Sequence, residues 1–208
     1  MSGHTPWREI KHKARGPIEF WGVDLETSGT TRRHVPIQLG ICSPSGETRS
    51  WLIKGWSWDA WKWDDEAAEV HGITKERLED EGQYAYDVAD EAARFVHAYS
   101  GTYYARRKPT GWNVAKFDMP YIDEHLIRLA NTMSYQGVDL AAVVFAMSVA
   151  FGVTFGADPQ TIKADAKAHA KKELKKRGVQ TAEHDAGYDA AEAVLVWQYL
   201  TERMEAGY

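Results

Sequence analysis

A short apolar run near the start of the chain, residues 18–23, limits the fold more than any other feature. The run reads IEFWGV and is interrupted only by Glu19. A continuous apolar run of this length is typical of a β-strand that is covered on both faces. A strand with one solvent-exposed face instead alternates apolar and polar residues. The run ends at Asp24, so an acidic side chain stands where the strand would leave the sheet.

The elements that follow predict a mixed α/β protein. Two more strand-like runs, residues 35–41 and 48–53, are separated by the turn residues Pro44 and Gly46, which predicts an antiparallel meander continuing from the first strand. Helical spacing predominates afterwards, with one short extended stretch at residues 110–112. The predicted helices cover residues 84–99, 117–132, 140–151, 159–177 and 186–204. Strands first and helices after favour a layered α/β sandwich over a regular βαβ repeat.

One domain is expected for residues 17–208. No internal repeat, low-complexity tract or long linker divides them, and a length of 208 residues suits a single domain. Residues 1–16 carry Arg8, Lys11, Lys13 and Arg15 with little apolar pattern. This composition predicts a basic N-terminal arm, and the alternative is an unstructured terminus without a role.

Composition excludes several classes of protein. A hydrophobic fraction of 44% excludes a disordered chain and a fibrous repeat. The single cysteine, Cys42, excludes an internal disulfide and a multi-thiolate metal site, so any metal would be held by oxygen and nitrogen. No signal peptide or membrane-spanning run is recognisable, which predicts a cytoplasmic protein without membrane contacts. The formal charge of −5 leaves nucleic acid open, because a site built of carboxylates contributes to that charge.

Asp24 and Glu26 are the first candidate site residues. They lie two positions apart at the end of the first predicted strand, and the period of two places both side chains on one side of the sheet. There they could share a metal ion. An acidic pair after a strand is common and more often begins a solvated loop, but Thr27, Ser28 and Gly29 follow with small side chains that allow a substrate to approach the main chain closely.

A second acidic residue, Asp118, stands where a helix is expected to begin. Pro120 is tolerated only in the opening turn of a helix, so Asp118 would lie at its positive end. The alternative is that Asp118 only complements the helix dipole, which contributes about 0.3 to 1 kcal/mol.

The last predicted helix carries a third acidic candidate, Asp189, in its first turn, with His184 just before the helix. Alanine at positions 186 and 190 allows this helix to approach a sheet closely, which would bring Asp189 near Asp24. For His184 alone, a surface or capping histidine is the alternative.

Together these segments resemble the DEDDh branch of the DnaQ-like 3′-to-5′ exonucleases. The family's first motif is similar to residues 24–27 (DLET), its second to residues 113–118, and its third to residues 184–190 (HDAGYDA). Residues 70–74 (VHGIT) resemble a stretch common between the first two motifs. The resemblance spans about residues 18–200, with the motifs in the family's order.

The third motif distinguishes the histidine branch from its sister branch. The sister branch has a tyrosine four positions before the last aspartate, but Asp185 stands there in this chain. The histidine branch has its histidine five positions before that aspartate, and His184 fits. The resemblance implies the ribonuclease-H-like fold, an α/β architecture in which helices flank a mixed central β-sheet.

The resemblance also implies a site for two Mg²⁺ or Mn²⁺ ions. Clustered carboxylates repel one another, and hard oxygen ligands select such cations, which about 3.5 to 4 Å apart stabilise both oxygens of an in-line phosphoryl displacement. In the family pattern Asp24 bridges the ions, Glu26 and Asp189 complete the site of one, and Asp118 supports the other through water. His184 would take a proton from the attacking water.

Further residues are expected to contact the substrate. The resemblance implies that Leu25 and Thr27 lie against the terminal 3′-hydroxyl, and that Asn113 and His71 belong to the substrate-binding residues. Four tryptophans could stack bases, although filling the core is the favoured role for at least two of them. They are Trp56, Trp58, Trp61 and Trp63.

A basic face is expected on the helix at residues 159–177. Its lysines recur every four residues beside the apolar stripe of Ile162, Ala166, Ala170 and Leu174. A solvated face is favoured slightly over one that tracks phosphates. The lysines are Lys163, Lys167, Lys171 and Lys175.

The function predicted from the resemblance is metal-dependent hydrolysis of phosphodiester bonds from the 3′ ends of single-stranded nucleic acid, with DNA favoured and nucleoside 5′-monophosphates released. An RNA-trimming enzyme of the same family is the first alternative. A nucleic-acid-binding module without turnover is the second, although all five candidate catalytic residues are present. Homodimers occur among relatives, so a homodimer also stays open.

Overall fold

The computed structural model describes residues 17–99, 106–134, 136–155, 158–180 and 184–207, with the side chains of residues 152–155 left out. The predicted basic arm, residues 1–16, lies outside the described residues. The strands are β1 (Ile18–Thr27), β2 (Pro36–Cys42), β3 (Thr48–Lys54), β4 (Gln83–Tyr84), β5 (Arg106–Gly111) and β6 (Val138–Asp139). The helices are α1 (Asp65–His71), α2 (Lys75–Glu81), α3 (Ala85–Tyr99), α4 (Asp118–His125), α5 (Ile127–Ala130), α6 (Leu140–Phe155), α7 (Pro159–Lys176) and α8 (Ala186–Glu205).

The strands form one mixed sheet in the order β4-β3-β2-β1-β5-β6. β1, β2 and β3 make the predicted antiparallel meander, and β5 pairs parallel to β1. The first strand therefore lies inside the sheet, with hydrogen-bonded neighbours on both sides. Its apolar run is explained by this position, because helices cover both faces of the sheet.

The two faces of β1 meet different cores. Trp21, Val23 and Leu25 contribute to the core formed with α3, α4 and α5. The alternate residues face the core in which α6, α7 and α8 pack, and they include Gly22, Asp24 and Glu26. The period of two therefore places both carboxylates on the face covered by α8.

Glycines on the sheet allow α8 to lie unusually close to it. A Cβ atom on Gly22 would stand 1.9 Å from the carbonyl oxygen of Ala190, and one on Gly40 would stand 1.9 Å from that of Ala186. The alanines were predicted to permit a close approach, and the structure confirms it with the strand glycines as the second half of the contact. Only glycine fits at either strand position without movement of the helix.

Several boundaries differ from the predictions. The helix predicted at residues 117–132 divides into α4 and α5 at Leu126, which leaves helical geometry at φ −125° and ψ 47°. Strand β5 begins four residues before the predicted stretch, because its sequence RRKPTG is polar and hides the strand. The helices α1 and α2 were not predicted: Leu78 is their only buried residue, so neither shows apolar periodicity. Among the described residues, no helix is long and apolar enough to cross a membrane.

Candidate active site

The five residues predicted to be catalytic line one cleft of about 570 Å³. It lies where β1 ends and where α4 and α8 begin, so three elements far apart in sequence each present a functional group at a terminus. The residues are Asp24, Glu26, Asp118, His184 and Asp189.

Asp24 and Glu26 are half-buried and lie on the same side of β1. Burial and the nearby charges of Asp118, Asp189 and Glu26 raise the pKa of Asp24 well above its usual value of 3.8. Burial, with the charges of Asp189 and Asp185, raises the pKa of Glu26 to about 8. Both carboxyls therefore lie among like charges, which outnumber the single lysine, Lys116, among the described residues that line the cleft.

Asp118 does more than complement a helix dipole. It is 3% exposed in the first turn of α4, and its Oδ1 accepts a hydrogen bond of 2.9 Å from the main-chain N–H of Leu25 on β1. Burial raises the pKa of Asp118 to about 7, although that hydrogen bond acts in the opposite direction. The bond ties the start of α4 to the centre of the sheet.

His184 and Asp189 meet Glu26 on the other side of the cleft. One potential ligand atom from each of the three lies within 4.8 Å of the other two. The His184 backbone is left-handed at φ 62°, and its N–H donates to Oδ2 of Asp189 at 3.1 Å. This local turn carries the exposed imidazole back over the first turn of α8. Burial and the charge of Glu192 raise the pKa of Asp189 to about 6, while Lys167 lowers it.

Gln38 on β2 holds the start of α8 in place, a role that the sequence analysis missed. Its Nε2 donates to Oδ2 of Asp185 at 2.8 Å, and its Oε1 accepts from the N–H of Ala186 at 3.2 Å. Asp185 in turn caps α8 by accepting the N–H of Tyr188 at 3.1 Å. A polar residue inside the apolar run of β2 was the signal available in the sequence.

The predicted substrate-binding residues are distributed around the cleft. Leu25 and Asn113 line it, and the Asn113 backbone is left-handed at φ 57°. The N–H of Leu25 is taken by Asp118, and the Thr27 hydroxyl donates to the carbonyl of Gly29 at 2.6 Å. Their contact with a 3′-hydroxyl stays a prediction.

His71 ends α1 and lies close to the cleft. Its Nδ1 accepts from the N–H of Ile73 at 3.0 Å, and its buried Nε2 has no hydrogen-bond partner among the described residues. Burial and the charge of His184 lower the pKa of His71, although the main chain of Thr27 raises it. The lowered pKa favours the neutral form of the His71 ring.

The four tryptophans before α1 pack against a small core of Val35, Ile37, Ile73 and Leu78. All four are half-buried and meet other rings edge to face, as in the pair Trp58 and Trp63 at 5.2 Å. This packing agrees with core filling, the favoured role for at least two of them, and base stacking stays a prediction. The lysine-bearing helix α7 likewise buries the predicted stripe of Ile162, Ala166, Ala170 and Leu174.

The donor set of the cleft fits divalent metal ions. Four carboxylates and one imidazole offer hard oxygen ligands with one nitrogen, and the raised pKa values show how costly the ionised cluster is when nothing positive joins it. The residues that would hold the ions are Asp24, Glu26, Asp118 and Asp189.

Metal binding is expected to depend strongly on pH. Ligation requires ionised carboxylates, but in the metal-free protein Glu26 titrates at about 8 and Asp118 at about 7. Lowering the pH protonates these groups, so the affinity for Mn²⁺ should fall by about tenfold or more between pH 8 and pH 6, with protons released on binding. Calorimetry in two buffers of different ionisation enthalpy measures both quantities. Equal affinity and no proton release across this range would contradict the expectation.

Comparison with solved structures identifies the architecture. Exonuclease I of E. coli in complex with single-stranded DNA matches with a TM-score of 0.60 and 19% identity over 92% of this chain and 42% of that chain. Exonuclease I from Methylocaldum szegediense matches with a TM-score of 0.59 and 20% identity over 90% and 41%. The fold is ribonuclease-H-like. This chain spans less than half the length of the exonuclease I chains that it matches.

A third structure extends the comparison to an RNA-directed protein with this fold. A 3′-exonuclease described as recognising the 3′ end of a histone mRNA stem-loop matches with a TM-score of 0.53 and 11% identity over 91% of this chain and 82% of that chain. A scan against models of protein families finds no match, and a search of curated proteins finds none either. At these identities the ribonuclease-H-like architecture is what the comparisons establish.

Proposed function

We propose that the chain is a metal-dependent 3′-to-5′ exonuclease that hydrolyses single-stranded nucleic acid, with DNA as the favoured substrate. The observation that carries the proposal is the convergence of Asp24, Glu26, Asp118, Asp189 and His184 on one cleft. These residues resemble the motifs of the DEDDh exonucleases in sequence. The fold in which they meet is that of exonuclease structures.

The carboxylates would hold two Mg²⁺ or Mn²⁺ ions, in the pattern that the motifs suggest. Asp24 would bridge them, Glu26 and Asp189 would complete one site, and Asp118 would support the other. When bound, the ions supply charge stabilisation for an in-line phosphoryl displacement and lower the pKa of water. Hydrogen bonds within the protein hold the carboxylates in position, in particular the bond from the N–H of Leu25 to Oδ1 of Asp118.

His184 is proposed as the general base. Its imidazole is exposed, so it can exchange protons with solvent, and its ring lies near the carboxylates of Glu26 and Asp189. Imidazole titrates near neutral pH and suits transfer of a proton from an attacking water. Attack on the terminal phosphodiester would release a nucleoside 5′-monophosphate.

The preference for single-stranded DNA is supported by the structures of E. coli exonuclease I in complex with single-stranded DNA and with a dT13 oligonucleotide. An RNA-trimming activity is the second candidate, because the histone-mRNA 3′-exonuclease shares the fold. A binding module without turnover is disfavoured by the complete set of catalytic residues, since a module has no need to keep carboxylates in so costly a cluster.

The test incubates 5′-labelled DNA and RNA oligonucleotides of the same sequence with the protein and Mg²⁺, and follows the products on a denaturing gel. A ladder that shortens from the 3′ end, absent with chelator, is expected. Asp189→Asn should slow it by about a hundredfold or more, because the amide can still accept the His184 N–H but carries no charge for an ion.

Three results would count against the proposal. Internal cuts, cleavage that persists in chelator, or tight binding without any shortening would each contradict it. Faster shortening of the RNA strand would favour the RNA-trimming candidate instead.

A further inference from the structure

At the rim of the cleft, a tryptophan meets two lysines of α7. Trp112 lines the cleft directly before Asn113. The ammonium of Lys163 lies 4.8 Å from the centre of its ring, and that of Lys167 lies 5.8 Å away. Both distances are within the range of a cation–π interaction. This contact joins the basic face of α7 to the cleft.

The two lysines are not equivalent. Lys167 forms an ion pair of 2.9 Å with Glu192, a carboxylate that is 2% exposed one turn beyond Asp189 on α8. A buried carboxylate needs such a partner, so the charge of Lys167 is used within the protein. Lys163 is exposed and forms no ion pair with any residue in the described ranges. Its charge is therefore free to act on a ligand.

A polyanionic substrate has to be held near a cleft that is itself lined by four carboxylates. Cations at the rim offset that repulsion and position the backbone without reading its sequence. Lys116 is the only lysine among the described residues that line the cleft. Lys163 does not line it but lies against the ring of Trp112, which does.

We propose that Lys163, oriented by the ring of Trp112, binds a backbone phosphate of the substrate upstream of the scissile bond. The inference rests on the proposed nuclease function. It makes Lys163 a positioning residue for chains of several nucleotides, because a dinucleotide that fills the cleft leaves no phosphate at the rim. Lys175, on the same face, is exposed near the C-terminal end of α7.

The test compares Lys163→Ala with Lys175→Ala on the same helix, about 18 Å further along its axis. On 5′-labelled dT12 with Mg²⁺, Lys163→Ala should raise KM about five- to tenfold with kcat within about twofold. It should leave the kinetics on a dT2 dinucleotide unchanged. The slope of log affinity against log salt, measured by anisotropy in chelator, should become shallower by about 0.7. Lys163→Arg should restore the wild-type KM, and Lys175→Ala should resemble wild type.

The outcomes separate this inference from the proposed function. Wild-type shortening of dT12 with an unchanged KM in Lys163→Ala would overturn the inference alone. Equal losses in Lys163→Ala and Lys175→Ala would also overturn it, since they would indicate a diffuse basic face. A loss of kcat on dT2 would place Lys163 in the chemical step and contradict a positioning role. A wild-type protein that neither binds nor shortens the oligonucleotides would overturn the inference and the proposed function together.

Discussion

Replacement of Asp24 by asparagine is expected to abolish cleavage and, in the absence of metal, to make the protein more stable. Asparagine keeps the shape of the side chain but removes a charge that lies among Asp118, Asp189 and Glu26. Metal ligation should be lost with it, and several kcal/mol of charge stabilisation corresponds to about a 10³-fold loss of rate. The gain in stability has the same electrostatic cause.

The sign of the stability change follows from the raised pKa of Asp24. In the unfolded chain this carboxyl ionises near 3.8, while in the folded protein it holds its proton to a higher pH. The folded state therefore binds more protons above about pH 4, and stability is lost as the pH rises from there through the folded-state pKa. Asp24→Asn removes this loss, so its advantage should be absent below pH 4 and should grow as the pH rises, so that it is larger at pH 8 than at pH 4.

Thermal unfolding in chelator at pH 4 and pH 8 measures this effect. A gain of about 1 kcal/mol corresponds to a rise of roughly 2 to 4 °C in Tm at pH 8. Asp80→Asn, on the exposed face of α2, is the matched control and should change neither Tm nor activity. A variant that melts lower than wild type at pH 8 would show that Asp24 is a structural carboxylate, not part of a costly metal-binding cluster.

The second large effect is expected from Gly40→Ala. The new Cβ would stand 1.9 Å from the carbonyl oxygen of Ala186 and 2.5 Å from the nitrogen of Gly187, both main-chain atoms that cannot turn aside. Either the sheet or the start of α8 must move, at a cost of about 3 kcal/mol or more. Urea unfolding should show that loss, and Mn²⁺ affinity should fall with it because Asp189 lies in the displaced turn.

Gly178→Ala separates this collision from ordinary backbone strain. Gly178 has a φ of 77° but nothing within 4 Å of its Cβ position, so its replacement should cost only about 1 to 2 kcal/mol. If Gly40→Ala lost no more than Gly178→Ala, and kept its Mn²⁺ affinity, the close docking of α8 on the sheet would be wrong.

The sequence was most informative where local pattern and chemistry coincide. The run at residues 18–23 predicted a strand covered on both faces. The period of two along a strand placed the acidic side chains at the end of β1, and helix-start signals placed those in the first turns of α4 and α8. Alanines at positions 186 and 190 predicted the close docking of α8. These features depend on neighbours along the chain, so one sequence suffices to recognise them.

Features that depend on distant partners were missed. Gln38 reaches Asp185 across 147 positions, and nothing near either residue marks the pairing. The strand order could not be derived from the residues, although the resemblance implied the fold. The left-handed turn at His184 was also not predictable, because few residues other than glycine adopt this backbone conformation, even though histidine is enriched among them. Polarity concealed β5, whose neighbours in the sheet supply the hydrogen bonds that define it.

The acidic cluster and the exposed lysine Lys163 lie on different elements, which bears on how such a protein can change in evolution. The acidic groups stand on β1, α4 and α8. The N–H of Leu25 donates to the Asp118 carboxylate and joins β1 to α4, and the strand glycines let the α8 backbone lie directly on the sheet. Lys163 lies on α7, is exposed and forms no ion pair with a described residue of these elements, whereas Lys167 on the same helix pairs with Glu192 of α8. If the chain is the proposed nuclease, exchange of exposed side chains on α7 therefore changes its substrate range while the acidic cluster stays as it is.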